Sequence, residues 1–239
     1  MHERKPEPIA EDVFELSGEV RMIAGWYFPV RTVVLKLGDS LWVHSPVALD
    51  EAVAERIDAL GSVRWLVAPN NLHHLFIGDW KRRWPDATMI GARGLLRKRP
   101  DLTFDATLDS AELEWPGVEH VYVEGAARLG ETVFFHRPSR SLVCTDLMFN
   151  LHANNTRGFL TPWILRMTGA YGRPAQSRLL RSVTKDRGRA RSSLERVLEW
   201  PIERVLMAHG DVVDSDAKDI LRSSCHWMLS GDSKHEVTA

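Results

Sequence analysis

The stretch Arg137-Pro138-Ser139-Arg140-Ser141-Leu142-Val143-Cys144-Thr145-Asp146-Leu147-Met148-Phe149-Asn150 carries the deciding pattern. A polar turn at 137–140 feeds a short apolar run that stops at Thr145-Asp146. A carboxylate just beyond a buried strand sits where α/β folds place their functional groups. Two other segments repeat the arrangement. Val63-Arg64-Trp65-Leu66-Val67-Ala68 runs into Pro69-Asn70-Asn71-Leu72-His73-His74, and Val205-Leu206-Met207 runs into Ala208-His209-Gly210-Asp211.

Around these segments the pattern is mixed. Val20–Ile23, Arg31–Leu37 and Leu41–His44 read as strands, with Gly38-Asp39-Ser40 as a hairpin turn between the last two. Asp50 to Leu60 reads as an amphipathic helix carrying Val53, Ile57 and Leu60 on one face and stopped by Gly61. A helix to about Trp84, a short strand at Met89-Ile90 and a short basic helix from Gly94 to Arg99 follow. Val118–Val123, Thr132–His136 and Ser141–Cys144 return to strand, residues 150–200 are mostly helical, and Asp214 to Leu229 is a closing helix. Strands in both halves with helices between them predict an α/β layered sandwich. No linker divides the chain, so one domain is expected over 11–230, with flexible termini at 1–10 and 231–239.

The composition agrees. The chain has 239 residues, 44% of them apolar and 26% charged, which suits an ordinary globular protein with a substantial core. Lys plus Arg total 31 against 32 Asp plus Glu, a net charge of -1, so nothing global points to nucleic acid or an anionic membrane. The two cysteines, Cys144 and Cys225, exclude a disulfide scaffold and a Cys-rich zinc module, and they suit a reducing compartment. No signal-like apolar stretch follows Met1 and no run approaches a membrane span, so a cytoplasmic location is expected.

Imidazoles and a carboxylate gathered from three strand ends would suit Zn²⁺ or Fe²⁺, which both accept mixed nitrogen and oxygen ligands. Each segment also has a structural explanation: paired histidines and Asp146 can cap the helices that follow them, and His209 can be a turn residue. It is their occurrence together, in this order, that points to a site.

In that order the segments resemble the metallo-β-lactamase superfamily. Its signature is His-x-His-x-Asp-His after a strand, then a Gly-His, a strand ending in Gly-Asp, and a late Gly-His-Gly. The resemblance spans about residues 20 to 230 and is closest to an uncharacterised branch, a domain of unknown function with a degenerate metal motif. It implies an αβ/βα four-layer sandwich with mixed sheets. Aligning His74 with the last His of the first motif puts Pro69 and Asn71 on its first two His positions and His73 on its Asp. The middle Gly-His falls near Gly125-Ala126. The alternative register, with Asn71 and His73 on the His-x-His pair, leaves Leu75 and Phe76 on ligand positions and is rejected.

The resemblance therefore implies that one metal site is erased and the other kept. His73, His74, Asp146 and His209 would hold a single divalent ion, zinc or iron, with Asp146 also acting on its water. Replacing an anionic Asp by His73 raises the local charge and favours a small anionic substrate. His44 and Asn71 are candidate substrate contacts. Cys144 is read as core, and His136 and His152 as weak candidates. The leading expectation is a metal-dependent hydrolase. The rivals are a non-catalytic protein that keeps the fold for binding or assembly, and a mononuclear iron redox enzyme.

Arg173 to Arg196 holds eight cations against Asp186 and Glu195. It reads either as a flap steering anions or as a solvated surface. Without aromatics after Tyr171 it offers no stacking platform, so nucleic-acid binding is not expected. Trp163, Ile164, Leu165 and Met167 read as an apolar helix that covers the pocket or a homodimer partner.

Overall fold

The computed structural model describes residues 4–22, 27–110, 113–155 and 161–230. Two sheets face each other. The first is seven-stranded, in sequential order: β1 (Glu7–Ala10), β2 (Val13–Arg21), β3 (Tyr27–Leu37), β4 (Ser40–His44), β5 (Ser62–Ala68), β6 (Thr88–Gly91) and β7 (Ala106–Thr107). Strands β1 to β4 are antiparallel meanders, whereas β4 to β7 run parallel. The second holds β8 (Val118–Tyr122), β9 (Thr132–His136), β10 (Ser141–Cys144) and β11 (Arg204–Met207) in the order β11-β10-β9-β8, with β10 and β11 parallel.

Alternation along each strand builds the layers, because successive side chains point to opposite faces. Val33, Leu35, Trp42, Val67 and Ile90 face Phe134, Val143 and Leu206 across the space between the sheets. Their neighbours Val34, Val43, Leu66 and Met89 face outward. There they pack against α1 (Glu51–Leu60), α2 (Ile77–Arg83) and α3 (Leu95–Lys98) through Val53, Ile57, Trp80 and Leu95. On the other side Phe135, Leu142, Cys144 and Met207 pack against residues of α5 (Arg178–Val183), α6 (Arg187–Val197), α7 (Ala217–Ser224) and α8 (His226–Leu229). The result is helices, sheet, sheet, helices: the expected αβ/βα sandwich. Helix α4 (Thr161–Thr168) joins a smaller cluster through Leu165, with Phe149 and Phe28.

The local signals behave as read. Asp50 caps α1 by accepting the Val53 amide at 2.9 Å, and Gly61 ends it. The N-terminus departs from expectation. Glu7–Ala10, inside the segment read as loose, is strand β1 paired to β2, because short edge strands tolerate Pro8, which has no amide to donate. The stretch 231–239 lies outside the described residues. The basic segment takes the solvated form: α6 buries Ala190, Leu194 and Val197, while Arg189 pairs with Asp186. No described helix is long and apolar enough to cross a membrane.

Candidate metal centre

The C-terminal ends of β4, β5, β10 and β11 deliver the residues of interest. His73 lies five residues beyond β5, Asp146 two beyond β10 and His209 two beyond β11. Their ligand atoms converge. His73 Nε2 is 3.0 Å from His209 Nε2 and 3.4 Å from Asp146 Oδ2, and His209 Nε2 is 3.4 Å from Asp146 Oδ1. These three residues form the one such cluster of metal-type ligands among the described residues.

His209 is held from behind. Its Nδ1 is 2.8 Å from the Pro29 carbonyl, which can only accept, so Nδ1 carries a proton and Nε2 is the nitrogen that faces the cluster. Rings of Phe28 and Phe149 flank it, with centroids 4.4 and 4.7 Å away. Gly210 follows at φ 98°, and a Cβ there would stand 1.9 Å from the Asn150 carbonyl oxygen, so only glycine allows this approach. Through it the Asn150 amide reaches the His209 carbonyl at 3.0 Å and fixes the loop.

His73 Nδ1 meets Ser45 Oγ at 2.7 Å. Ser45 sits in the left-handed region at φ 53°, unusual for a residue with a side chain. Thr32 pins that bend: its Oγ1 donates to the Ser45 carbonyl at 3.0 Å and accepts the Val47 amide at 2.8 Å.

Asp146 is buried beside a second acid. Glu131 accepts the Thr145 and Asp146 amides at 2.7 and 2.8 Å. Burial and the nearby Asp146 charge raise the Glu131 pKa to about 7, partly offset by those amides. For Asp146, burial favours the neutral acid, but the charges and hydrogen bonds of His73 and His209 outweigh it and hold the carboxyl well below the usual range. Asn70 ties the parts together. Its Oδ1 accepts the Leu72 and His73 amides at 2.7 and 2.9 Å, while its Nδ2 donates to Asp146 Oδ2 at 2.7 Å.

Three of the expected contacts are placed elsewhere. His74 stands outside the cluster. Arg99 Nη1 donates to its Nδ1 at 3.1 Å, and burial with the Lys98 and Arg99 charges lowers its pKa to about 4. The neutral ring then carries its proton on Nε2, which leaves no lone pair for a metal. Asn71, next to Asn70, turns away and donates to the Arg128 carbonyl at 3.1 Å. His44 shares a strand face with Trp42, so it enters the core between the sheets, stacked on Trp42 and edge-on to Phe134. Ser45, Asn70 and Glu131 were missed in turn. An Asx-turn residue after Pro69 was the available signal for Asn70. Nothing local marked Glu131 or Ser45.

A cavity of about 360 Å³ opens over the cluster and is lined by Ser45, His73, His74, Asp146 and His209 together with apolar side chains. No Lys or Arg is among its described lining residues. The expectation of an anionic substrate therefore finds no cationic counterpart in these walls.

No family model and no curated protein matches the sequence. Solved structures do match. The metallo-β-lactamase from Hirschia baltica superposes with a TM-score of 0.64 at 13% identity, covering 93% of this chain and 96% of that one. The fold is that of the metallo-β-lactamases. The metallo-β-lactamase FIM-1 from Pseudomonas aeruginosa, in its mono-zinc form, gives 0.60 at 12% identity over 94% of this chain and 95% of that one. The metal-soaked Flv1 flavodiiron core from Synechocystis gives 0.61 at 12% identity, covering 93% of this chain and 60% of that one. Within the metallo-β-lactamase fold this sequence is far diverged, and its chemistry rests on its own side chains.

Proposed function

We propose that the protein is a metal-dependent hydrolase that works with one divalent ion held by His73, Asp146 and His209. The observation that carries this reading is the mutual approach of electron-rich atoms. With Nδ1–H of His209 spent on Pro29, its Nε2 faces a buried carboxylate 3.4 Å away and His73 Nε2. Atoms so placed repel unless a proton or a metal ion lies between them, and a metal ion can serve all three at once. Ligand atoms on one tetrahedral zinc are about 3.3 Å from each other, the spacing found here. The donor set therefore fits the ion.

An ion bound there acts as a Lewis acid, lowering the pKa of a water toward neutrality and polarising a carbonyl oxygen. The rest falls to the protein. Ser45 Oγ accepts a hydrogen bond from His73 Nδ1–H, the tautomer that leaves Nε2 as a ligand, an outer contact of the kind that orients metal-bound imidazoles. Asn70 and Glu131 fix the Asp146 carboxylate, which stays ionised and accepts a proton from the attacking water. His74 Nε2–H is a neutral donor at the cavity wall for a substrate oxygen.

The test is hydrolysis of chromogenic esters by chelator-treated protein before and after reloading with zinc. The account expects turnover that returns with the ion and is lost in His209→Ala. Protein that binds zinc but shows no metal-dependent turnover supports the rival role in binding alone. Two imidazoles and one carboxylate are also the facial set of non-haem iron oxygenases, which favours iron redox chemistry as the second reading. Iron content and visible absorbance after aerobic purification separate the two.

A further inference from the structure

The cavity above the cluster is walled on most sides by Phe28, Val30, Val47, Phe76, Phe149 and Leu179. Its about 360 Å³ lies near the small end of ligand sites, which run about 300–1,000 Å³. The mouth is apolar as well. Eight large apolar side chains are exposed among the described residues, and Met22, Leu72, Leu75 and Leu179 of these line this one cavity. Exposed apolar side chains gathered in one place mark a binding surface, whereas scattered ones need no explanation. Among the described residues, the only carboxylate in the lining is Asp146, and no Lys or Arg faces it. Away from the cluster, a charged group among these apolar walls would lose its hydration without a partner.

We infer that the substrate is an uncharged carboxylic ester whose acyl part is an aliphatic chain of about six to ten carbons, a length that fills a site of this volume class. This rests on the hydrolase reading for the bond that is broken. The chain lies among Phe28, Val47 and Phe149, and the ester carbonyl lies at His73, Asp146 and His209. Water oxygen bonds to the acyl carbon and the acyl C–O bond breaks. One water proton passes through Asp146 to the leaving alcohol oxygen, and the product acid releases the other to solvent.

Two measurements test it. The first is calorimetric binding of octanamide and butanamide, neutral and inert, to metal-free protein. Each methylene that leaves water for the cavity should strengthen binding up to about fourfold. Octanamide should therefore bind at least about tenfold tighter. Leu179→Glu and Leu75→Glu, both at exposed positions, should erase most of that difference without disturbing the fold. The second is kcat/KM of zinc-loaded protein on p-nitrophenyl acetate, butyrate and octanoate, which should rise with chain length. Chain-length-dependent binding with no ester hydrolysis keeps the apolar occupant and removes the hydrolase reading. Hydrolysis indifferent to chain length, with the two amides binding alike, overturns the inference and leaves the hydrolase reading standing.

Discussion

His73 and His209, 136 positions apart in the chain, bring their Nε2 atoms to 3.0 Å of each other beside a shared carboxylate. Neither ring is free to turn away. One is anchored through Nδ1 to Ser45 and the other to the Pro29 carbonyl, so the anchors decide which nitrogens face inward. The cluster is set by its outer contacts as much as by its own three residues.

Ser45→Ala removes the anchor of His73 and leaves the ligands in place. Losing such an outer partner weakens metal binding by about 10- to 100-fold. Zinc affinity measured by competition with a chelator should fall in that range while the circular dichroism spectrum stays unchanged.

His74→Gln should leave the metal content of the protein as it is, since His74 bonds Arg99 rather than the cluster. The same substitution at His73 should remove the ion. Elemental analysis of the two variants purified side by side checks the difference, and equal loss in both would return His74 to the ligand set.

Asn70→Ala strips one donor from Asp146 and leaves the Leu72 and His73 amides without their acceptor. Each orphaned buried group costs about 1–3 kcal/mol. Denaturant unfolding of the metal-free variant should show a loss of about that size or more, and zinc binding should weaken with it.

His44 gives the pH dependence. Burial, and after it the charge of His73, holds its pKa well below 6.5, and neither ring nitrogen has a hydrogen-bond partner among the described residues. The folded state keeps the ring neutral, whereas the unfolded chain takes up a proton below about pH 6.5. Stability is thus full above that pH and falls with acid by about 1.4 kcal/mol per pH unit from this group. His44→Phe removes the effect. Its acid-unfolding midpoint should move to lower pH, and its stability at pH 8 should hold or rise, as urea titrations at several pH values will show.

Most of the architecture was legible because strand and helix periods are local properties. Thr132–His136 and Ser141–Cys144 were bounded correctly by their apolar runs and the turn at 137–140. Strand β1 was not, because Glu7–Ala10 is half exposed, carries Pro8 and becomes a strand only by pairing with β2. Of the four ligands expected from strand-end positions, His73, Asp146 and His209 come together in one cluster. The fourth, His74, lies outside it, because adjacent residues in a bend point different ways and no pattern tells which of His73 and His74 turns inward. Asn71 failed for the same reason beside Asn70. Glu131 was invisible because its role comes from two amides on another strand's end. The anionic substrate follows from the charge of the expected ligands and a basic segment, whereas the described cavity walls from β2, β3 and α5 are apolar.

The most direct measurement is a zinc titration of chelator-treated protein, read by calorimetry, for the native chain and for His73→Ala, Asp146→Asn and His209→Ala. The account predicts about one ion per native chain and loss of that binding in every variant. Less than about a tenth of an ion per native chain, or binding that survives all three substitutions, would contradict it.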